Sequence, residues 1–167
     1  MTESEFKEIV ELYSPKLISY ANSFCCDIHA AQDIVQEAFI SFLKYQSKID
    51  NPKPWLYAVC RNKACDRFKK SKAIPVYDIE NIDIQNGTAE TFIDELNDKD
   101  LEEILMRSLD KISESDAGIL NMKYFGQMSY IEISLVLGIS VSNVGVKISR
   151  AVARLKKQME QDEAYEK

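Results

Sequence analysis

The stretch from Ser129 to Lys157 reads SYIEISLVLGISVSNVGVKISRAVARLKK, and it decides the fold class. Ser129 and Glu132 stand three apart ahead of an apolar run, the reciprocal capping pair that starts a helix. Ile131, Ile133 and Leu137 give that short helix its inward face, and Gly138 is placed to end it in a left-handed turn. Ser140 then caps a longer helix whose Val144, Ile148, Ala151 and Leu155 recur at helical spacing, with Ile139 filling the angle between the two. Short helix, glycine turn and long helix make a helix-turn-helix pattern. On the second helix Asn143, Lys147, Arg150 and Arg154 form a basic stripe beside the apolar one. A helix lying in the major groove of DNA requires such a stripe, so the pattern predicts DNA binding.

Signals of the same kind continue upstream. Ser113 with Asp116 marks another helix start, and Gly126 is expected to act, like Gly138, as a left-handed stop. Leu101, Ile104, Leu105, Leu109 and Ile112 repeat at helical intervals before it. From Ala73 to about Asn97 the period weakens among acids, Pro75 and Asn86-Gly87, which reads as a flexible linker. The N-terminal part carries four candidate helices. Thr2 and Glu5 form a capping box for the first, which Pro15 is expected to end, and a second runs to about Phe24. Asp27 caps a third to about Tyr45, with Ile34, Ala38, Phe42 and Tyr45 along one face. Asn51 and Pro52 open a fourth through Trp55, Leu56, Val59 and Phe68. The expected architecture is all-α, with helical domains over 1–72 and 98–160, an acidic linker over 73–97 and a tail over 161–167.

The 167 residues include few glycines and prolines (5 and 4), which disfavours a turn-rich all-β chain. No apolar run reaches the ~18 residues of a membrane span, and the N-terminus carries Glu3 and Glu5 where a secretory signal would be basic. A cytoplasmic location is expected. The net charge of −6 argues against a nucleic-acid partner until its distribution is considered. Residues 50–72 hold seven bases and two acids, and residues 117–157 hold six bases and one acid, a balance of +5 each. Between them, residues 73–103 hold one base and ten acids, a balance of −9. Only charge within a Debye length of about 8 Å governs a local contact, so each basic segment can attract phosphate. Within this spacer, residues 78–103 are expected to lie near the basic helices in the free protein and suppress stray DNA binding until polymerase separates the domains.

Cys25, Cys26, Cys60 and Cys65 form no C-x-x-C pair, and Cys60 and Cys65 fall in an apolar helical stretch as small hydrophobes. His29 has no cluster of metal-ligating residues beside it and reads as a surface residue. With no Gly-rich phosphate loop, no metal spacing and one histidine, the sequence predicts no enzyme, catalytic residue, cofactor, metal site or small-molecule substrate. On the third helix Asp33, Gln36, Glu37, Ile40 and Lys44 share the face opposite Ile34, Ala38 and Phe42. An apolar Ile40 within a polar patch suits a partner helix.

Three motifs in order carry a family resemblance. Met128-Ser129-Tyr130-Ile131-Glu132-Ile133-Ser134, with Leu137-Gly138-Ile139-Ser140, Val144, Arg150-Ala151 and Leu155, resembles promoter-binding region 4 of the sigma-70 family in its extracytoplasmic-function group. Asp33-Ile34-Val35-Gln36-Glu37-Ala38-Phe39 is similar to the region 2 segment that grips a coiled coil of RNA polymerase. Pro54-Trp55-Leu56-Tyr57-Ala58-Val59-Cys60-Arg61-Asn62-Lys63-Ala64-Cys65-Asp66 resembles the family's minus-10 reading helix. The resemblance implies a sigma factor that recruits core RNA polymerase to promoter DNA and helps melt it, held inactive by an anti-sigma protein. It places core-polymerase binding on Asp33, Gln36, Glu37, Ile40 and Lys44. It places minus-10 contacts on Trp55, Tyr57, Arg61, Asn62, Asp66, Arg67, Lys69 and Lys70.

A melted strand needs cations for phosphates and planar or amide groups for unstacked bases, which this helix supplies. By position, the loop Gln46 to Lys53 forms the pocket for an extruded base, with Tyr57 and Asn62 beside it, while Trp55 serves equally well as a core anchor. Minus-35 contacts fall on Ser142, Asn143, Val146, Lys147, Ser149, Arg150 and Arg154. Gly145 and Val146 depart from the family, which often has Lys/Arg and Ser/Thr there, and Gly145 costs the helix about 1 kcal/mol relative to alanine. The alternative is a helix-turn-helix regulator that binds duplex operator as a dimer without polymerase.

Overall fold

The computed structural model describes residues 2–68, 103, 107 and 111–165, the side chains of Phe68 and of 162–165 excepted. The described residues are helical or in short connections, as expected. Helix α1 spans Glu3–Cys25, α2 Ile28–Tyr45 and α3 Pro52–Phe68, with a 3-10 turn at Gln46–Lys48. In the C-terminal half, α4 spans Glu114–Leu120 and continues through a π-helical turn at Asn121–Phe125, followed by α5 (Tyr130–Leu137) and α6 (Val141–Tyr165). The expected linker and most of the helix before Ser113 lie outside the described residues. Glu103 and Arg107 are helical and pair at 3.7 Å.

The capping residues act where the sequence places them. Thr2 and Glu5 form the α1 capping box, Asp27 accepts from the His29 and Ala30 amides at the start of α2, and Ser113 accepts from Asp116. Ser129 and Glu132 form a second capping box at α5. Pro15, expected to end the first helix, instead lies inside α1. It removes the N–H that would meet the Glu11 carbonyl, but both residues are exposed, so water can satisfy that oxygen. Buried Leu17, Tyr20 and Ala21 then extend the apolar face of α1 beyond it.

Tyr45 shares the face of buried Ile34, Ala38 and Phe42 by spacing but is 55% exposed, as the last residue of α2. The N-terminal core is strongly aromatic. Phe6 packs on Phe39 and Phe42, Phe42 on Trp55, and Tyr20 on Phe24 and Tyr57, with ring centroids 4.9–6.5 Å apart.

Helices α5 and α6 meet at 96°, joined by Gly138 at φ 67° and by the partly buried Ile139. That is helix-turn-helix geometry. Ile133, Val136, Val144, Ile148, Ala151 and Leu155 form its core. Ile131, expected inward, is 63% exposed, as is Leu135 at 68%, four residues on. Ile133 and Val136 hold the inner face, and Ile131 stands two positions back, some 200° around the helix.

Gly126 is a further correction: its φ is −68°, and Gln127 takes the left-handed conformation at φ 47°. The glycine is needed for space. A Cβ there would come 2.7 Å from the Met122 carbonyl oxygen and 2.7 Å from the Tyr57 hydroxyl. The two halves pack directly on one another, α4 and its π turn against α1, and α5 against α3.

Candidate nucleic-acid interface

The α2 face is built as the spacing predicts. Asp33, Gln36, Glu37, Ile40 and Lys44 are all exposed, Ile40 by 54%, while Ile34, Ala38 and Phe42 hold the helix on the core. Two of its carboxylates reach cations of α3. Glu37 accepts from Lys63 at 2.9 Å, and Asp33 pairs with Arg67 at 3.5 Å. The exposed α2 face and α3 are thus neighbours linked by charge. Leu43 is also exposed, at the same end of α2 as Ile40 and Lys44.

On α3, Asn62, Asp66 and Arg67 are exposed and Arg61 is partly so. Trp55 is partly buried, its ring centroid 5.9 Å from that of Phe42, so it anchors α3 to α2. Tyr57 corrects the expectation of a base-stacking residue. It is 0% exposed, its ring lies 4.9 Å from that of Tyr20, and its hydroxyl end meets Gly126. Burial pushes its phenol pKa up. Being three residues before Cys60 and seven before Ala64, both buried, it shares their inward face. Burial likewise pushes the Cys60 thiol up to about 12, so it serves as a small hydrophobe. Lys69 and Lys70 lie outside the described residues.

The α6 stripe divides in two. Ser142 and Asn143 are exposed, and Val146, Lys147, Ser149 and Arg150 are partly buried. Desolvation lowers the Lys147 pKa, against the attraction of Asp116 and with the repulsion of Arg150 and Arg154. Arg154 donates from one guanidinium nitrogen to both oxygens of Asp116, each at 2.8 Å, and Asp116 is buried. Arg154 therefore ties α6 to α4, a role that the stripe pattern does not reveal. The signal was the acid at the third position of α4, which the sequence marks only as a capping neighbour. Gly145 has room: a Cβ would lie 3.5 Å from the Tyr130 ring.

The loop Gln46–Lys53 is held to the C-terminal half. Lys53 donates to the Gln127 carbonyl at 2.8 Å and stands 3.7 Å from Glu132, both side chains about four-fifths buried. Burial raises the Glu132 pKa, but bonds from Ser129, the charge of Lys53 and a bond from Asn51 outweigh it, leaving the carboxyl below its ordinary value.

The chain matches known sequence families. Residues 9–74 match sigma-70 region 2, and residues 93–155 match sigma-70 region 4. The chain is a sigma-70 family sigma factor of the extracytoplasmic-function group. Among curated relatives, this sigma factor is 28% identical to the extracytoplasmic-function RNA polymerase sigma factor SigW of Bacillus subtilis, with 94% of this chain and 90% of SigW covered. It is 26% identical to SigM of the same organism, over 89% of this chain and 91% of SigM.

Two solved structures share the sigma factor's fold. CnrH, in complex with the cytosolic domain of CnrY, superposes with a TM-score of 0.65 at 21% identity, covering 96% of this chain and 91% of CnrH. RpoE from Bartonella quintana, in complex with the anti-sigma factor NepR, gives 0.62 at 20% identity, covering 93% and 97%. Like its relatives, this sigma factor acts in transcription with RNA polymerase and is not an enzyme.

Proposed function

We propose that the sigma factor mounts on core RNA polymerase through the exposed α2 face and reads a promoter with α3 and α6. Asp33, Gln36, Glu37 and Lys44 supply the polar contacts and Ile40 the apolar anchor. The observation that supports this most is the 54% exposed Ile40 ringed by charged residues on a helix whose opposite face is core. A chain folding alone gains nothing from that isoleucine, whereas a partner helix buries it.

On α3, Asn62 offers amide hydrogen bonds to an unstacked base, with Arg61, Arg67, Lys69 and Lys70 for the backbone of the melted strand. Trp55 and Asp66 frame that surface, Trp55 from the core side. On α6, Asn143, Ser142, Val146, Lys147, Ser149 and Arg150 face the minus-35 duplex, and Arg154 adds positive field from a position set by Asp116. Two weak heads on one chain gain affinity through effective concentration, so neither needs to bind tightly alone. An anti-sigma protein, like the one bound to the structural relative RpoE, is the expected inhibitor.

The test is run-off transcription by core enzyme with the wild-type chain, Ile40→Asp and Asn62→Ala. Ile40→Asp should abolish both transcript and co-elution with core polymerase. Asn62→Ala should cut transcript at least tenfold and leave co-elution intact. Full transcription by Ile40→Asp would remove α2 as the docking face.

A further inference from the structure

A cleft of about 500 Å³ lies between the C-terminal half of α6 and the turn that leads into α4, a volume typical of small-molecule sites. Lys157, Gln158 and Gln161 follow Arg154 by three, four and seven residues, so the four line it from one strip of α6. Lys111 and Ser113 line it from the turn before α4. Among the described residues of its walls there are three cations, Lys111, Arg154 and Lys157, and one acid, Asp116. Glu114 and Glu160, exposed acids on the same two helices, do not line it. Asp116 is buried and already accepts from Arg154 at both oxygens. One acid offsets one cation, so the cleft keeps an excess of positive charge.

The donors of the cleft are only partly spent. Arg154 commits its Nη1 nitrogen to Asp116. Its Nη2 and Nε groups remain as donors on a planar fork whose orientation the buried carboxylate fixes. The Ser113 hydroxyl accepts from the Asp116 amide and keeps its own proton to give. Such a set of donors suits a multiply charged anion, and guanidinium beside ammonium is a pairing that recognises phosphate groups. Lys157 lies about 21 Å along α6 from Asn143, at about 1.5 Å per residue. A duplex gripped by the N-terminal end of α6 is held away from this end of the helix, which favours a free anion over a DNA backbone phosphate.

We propose that this cleft is a binding site for a small oligophosphate, either a nucleoside di- or triphosphate or inorganic polyphosphate. Lys111, Arg154 and Lys157 neutralise the phosphates, and Ser113 and Gln158 donate hydrogen bonds to their oxygens. The bound anion ties α6 to the segment before α4, so it stabilises the C-terminal half as its concentration rises above its Kd. Lys111 and Lys157 take no part in the promoter contacts proposed above, so this site can fail without that reading failing, and the reverse.

Isothermal titration calorimetry of the full-length protein at low salt, with sodium tripolyphosphate, ATP and GTP as separate probes, tests the proposal. Wild type should bind at least one of them saturably at a single site. Lys111→Met and Lys157→Met should each weaken that binding about fivefold, the effect of one partly solvated ion pair. Lys7→Met, which removes an exposed cation of α1, should leave it unchanged. Thermal melts should agree, with the bound probe raising the melting temperature of wild type more than that of Lys157→Met. Binding of tripolyphosphate alone marks inorganic polyphosphate as the ligand, and tighter binding of a nucleotide marks its base and sugar as part of the recognition.

No saturable binding of any probe, wild-type affinity in either lysine variant, or an equal loss in Lys7→Met overturns the site. A loss in the two lysine variants confined to duplex DNA overturns it as well, and makes the cleft a contact for the DNA backbone.

Discussion

Lys63 in the N-terminal half and Arg154 in the C-terminal half both look, by spacing alone, like cations on a DNA-binding helix, yet their environments differ. Lys63 meets Glu37, whose side chain is 55% exposed. Arg154 meets Asp116, a carboxylate only 8% exposed and held at two oxygens. The first pair is partly solvated at both members and is worth little, so both stay available to partners. The second has a buried acid that becomes costly if left alone, so its arginine is committed to the fold. A basic stripe therefore has to be sorted by what each cation already holds.

The largest effect should come from cutting the buried pair. Asp116→Ala also removes an acid from the first turn of α4, and should destabilise the C-terminal half by about 2 kcal/mol in urea unfolding. That is below the ~3–5 of a fully buried pair because half of Arg154 remains solvated. A loss as small as that of an exposed pair would erase the distinction between the two cations. Gly126→Ala comes next, at about 1–2 kcal/mol, since its Cβ would press on a backbone oxygen and on Tyr57. Gly145→Ala should do the opposite. Its Cβ has room, so α6 should gain up to about 1 kcal/mol, visible as a raised melting temperature.

The smallest effect belongs to the exposed pair. A double-mutant cycle of Glu37→Gln and Lys63→Met should give a coupling below about 0.5 kcal/mol. Acid offers a separate probe, at the contact of Glu132 with Lys53. Glu132 has its folded pKa below the ordinary 4.5, so its carboxylate stabilises the fold above that value. The contribution is lost as pH falls through the lower folded pKa. Thermal melts below pH 4.5 should show a steeper loss for wild type than for Glu132→Gln.

Much of the fold was legible because caps and periods act locally. Thr2, Asp27, Ser113, Ser129 and Gly138 do what their chemistry predicts, and the α2 face emerged from spacing alone. The failures share one cause, which is that exposure is decided by neighbours remote in sequence. Pro15 is tolerated because it points to water, Gly126 is required by a tyrosine from another helix, and Tyr57 is buried where a motif suggested access to DNA. Nothing local in the sequence indicates that Lys53 reaches Glu132, or that Asp116 would claim Arg154. The regulatory idea based on residues 78–103 falls, Glu103 apart, outside the described residues.

The central claim is that the sigma factor works only when mounted on core polymerase through the exposed face of α2. Fluorescence anisotropy of a dye at Ala153→Cys, an exposed position on α6, measures the mounting directly. The account predicts a large rise when core polymerase is added to the wild-type chain, and none at the same concentration with Ile40→Asp. Equal rises for the two chains would contradict it.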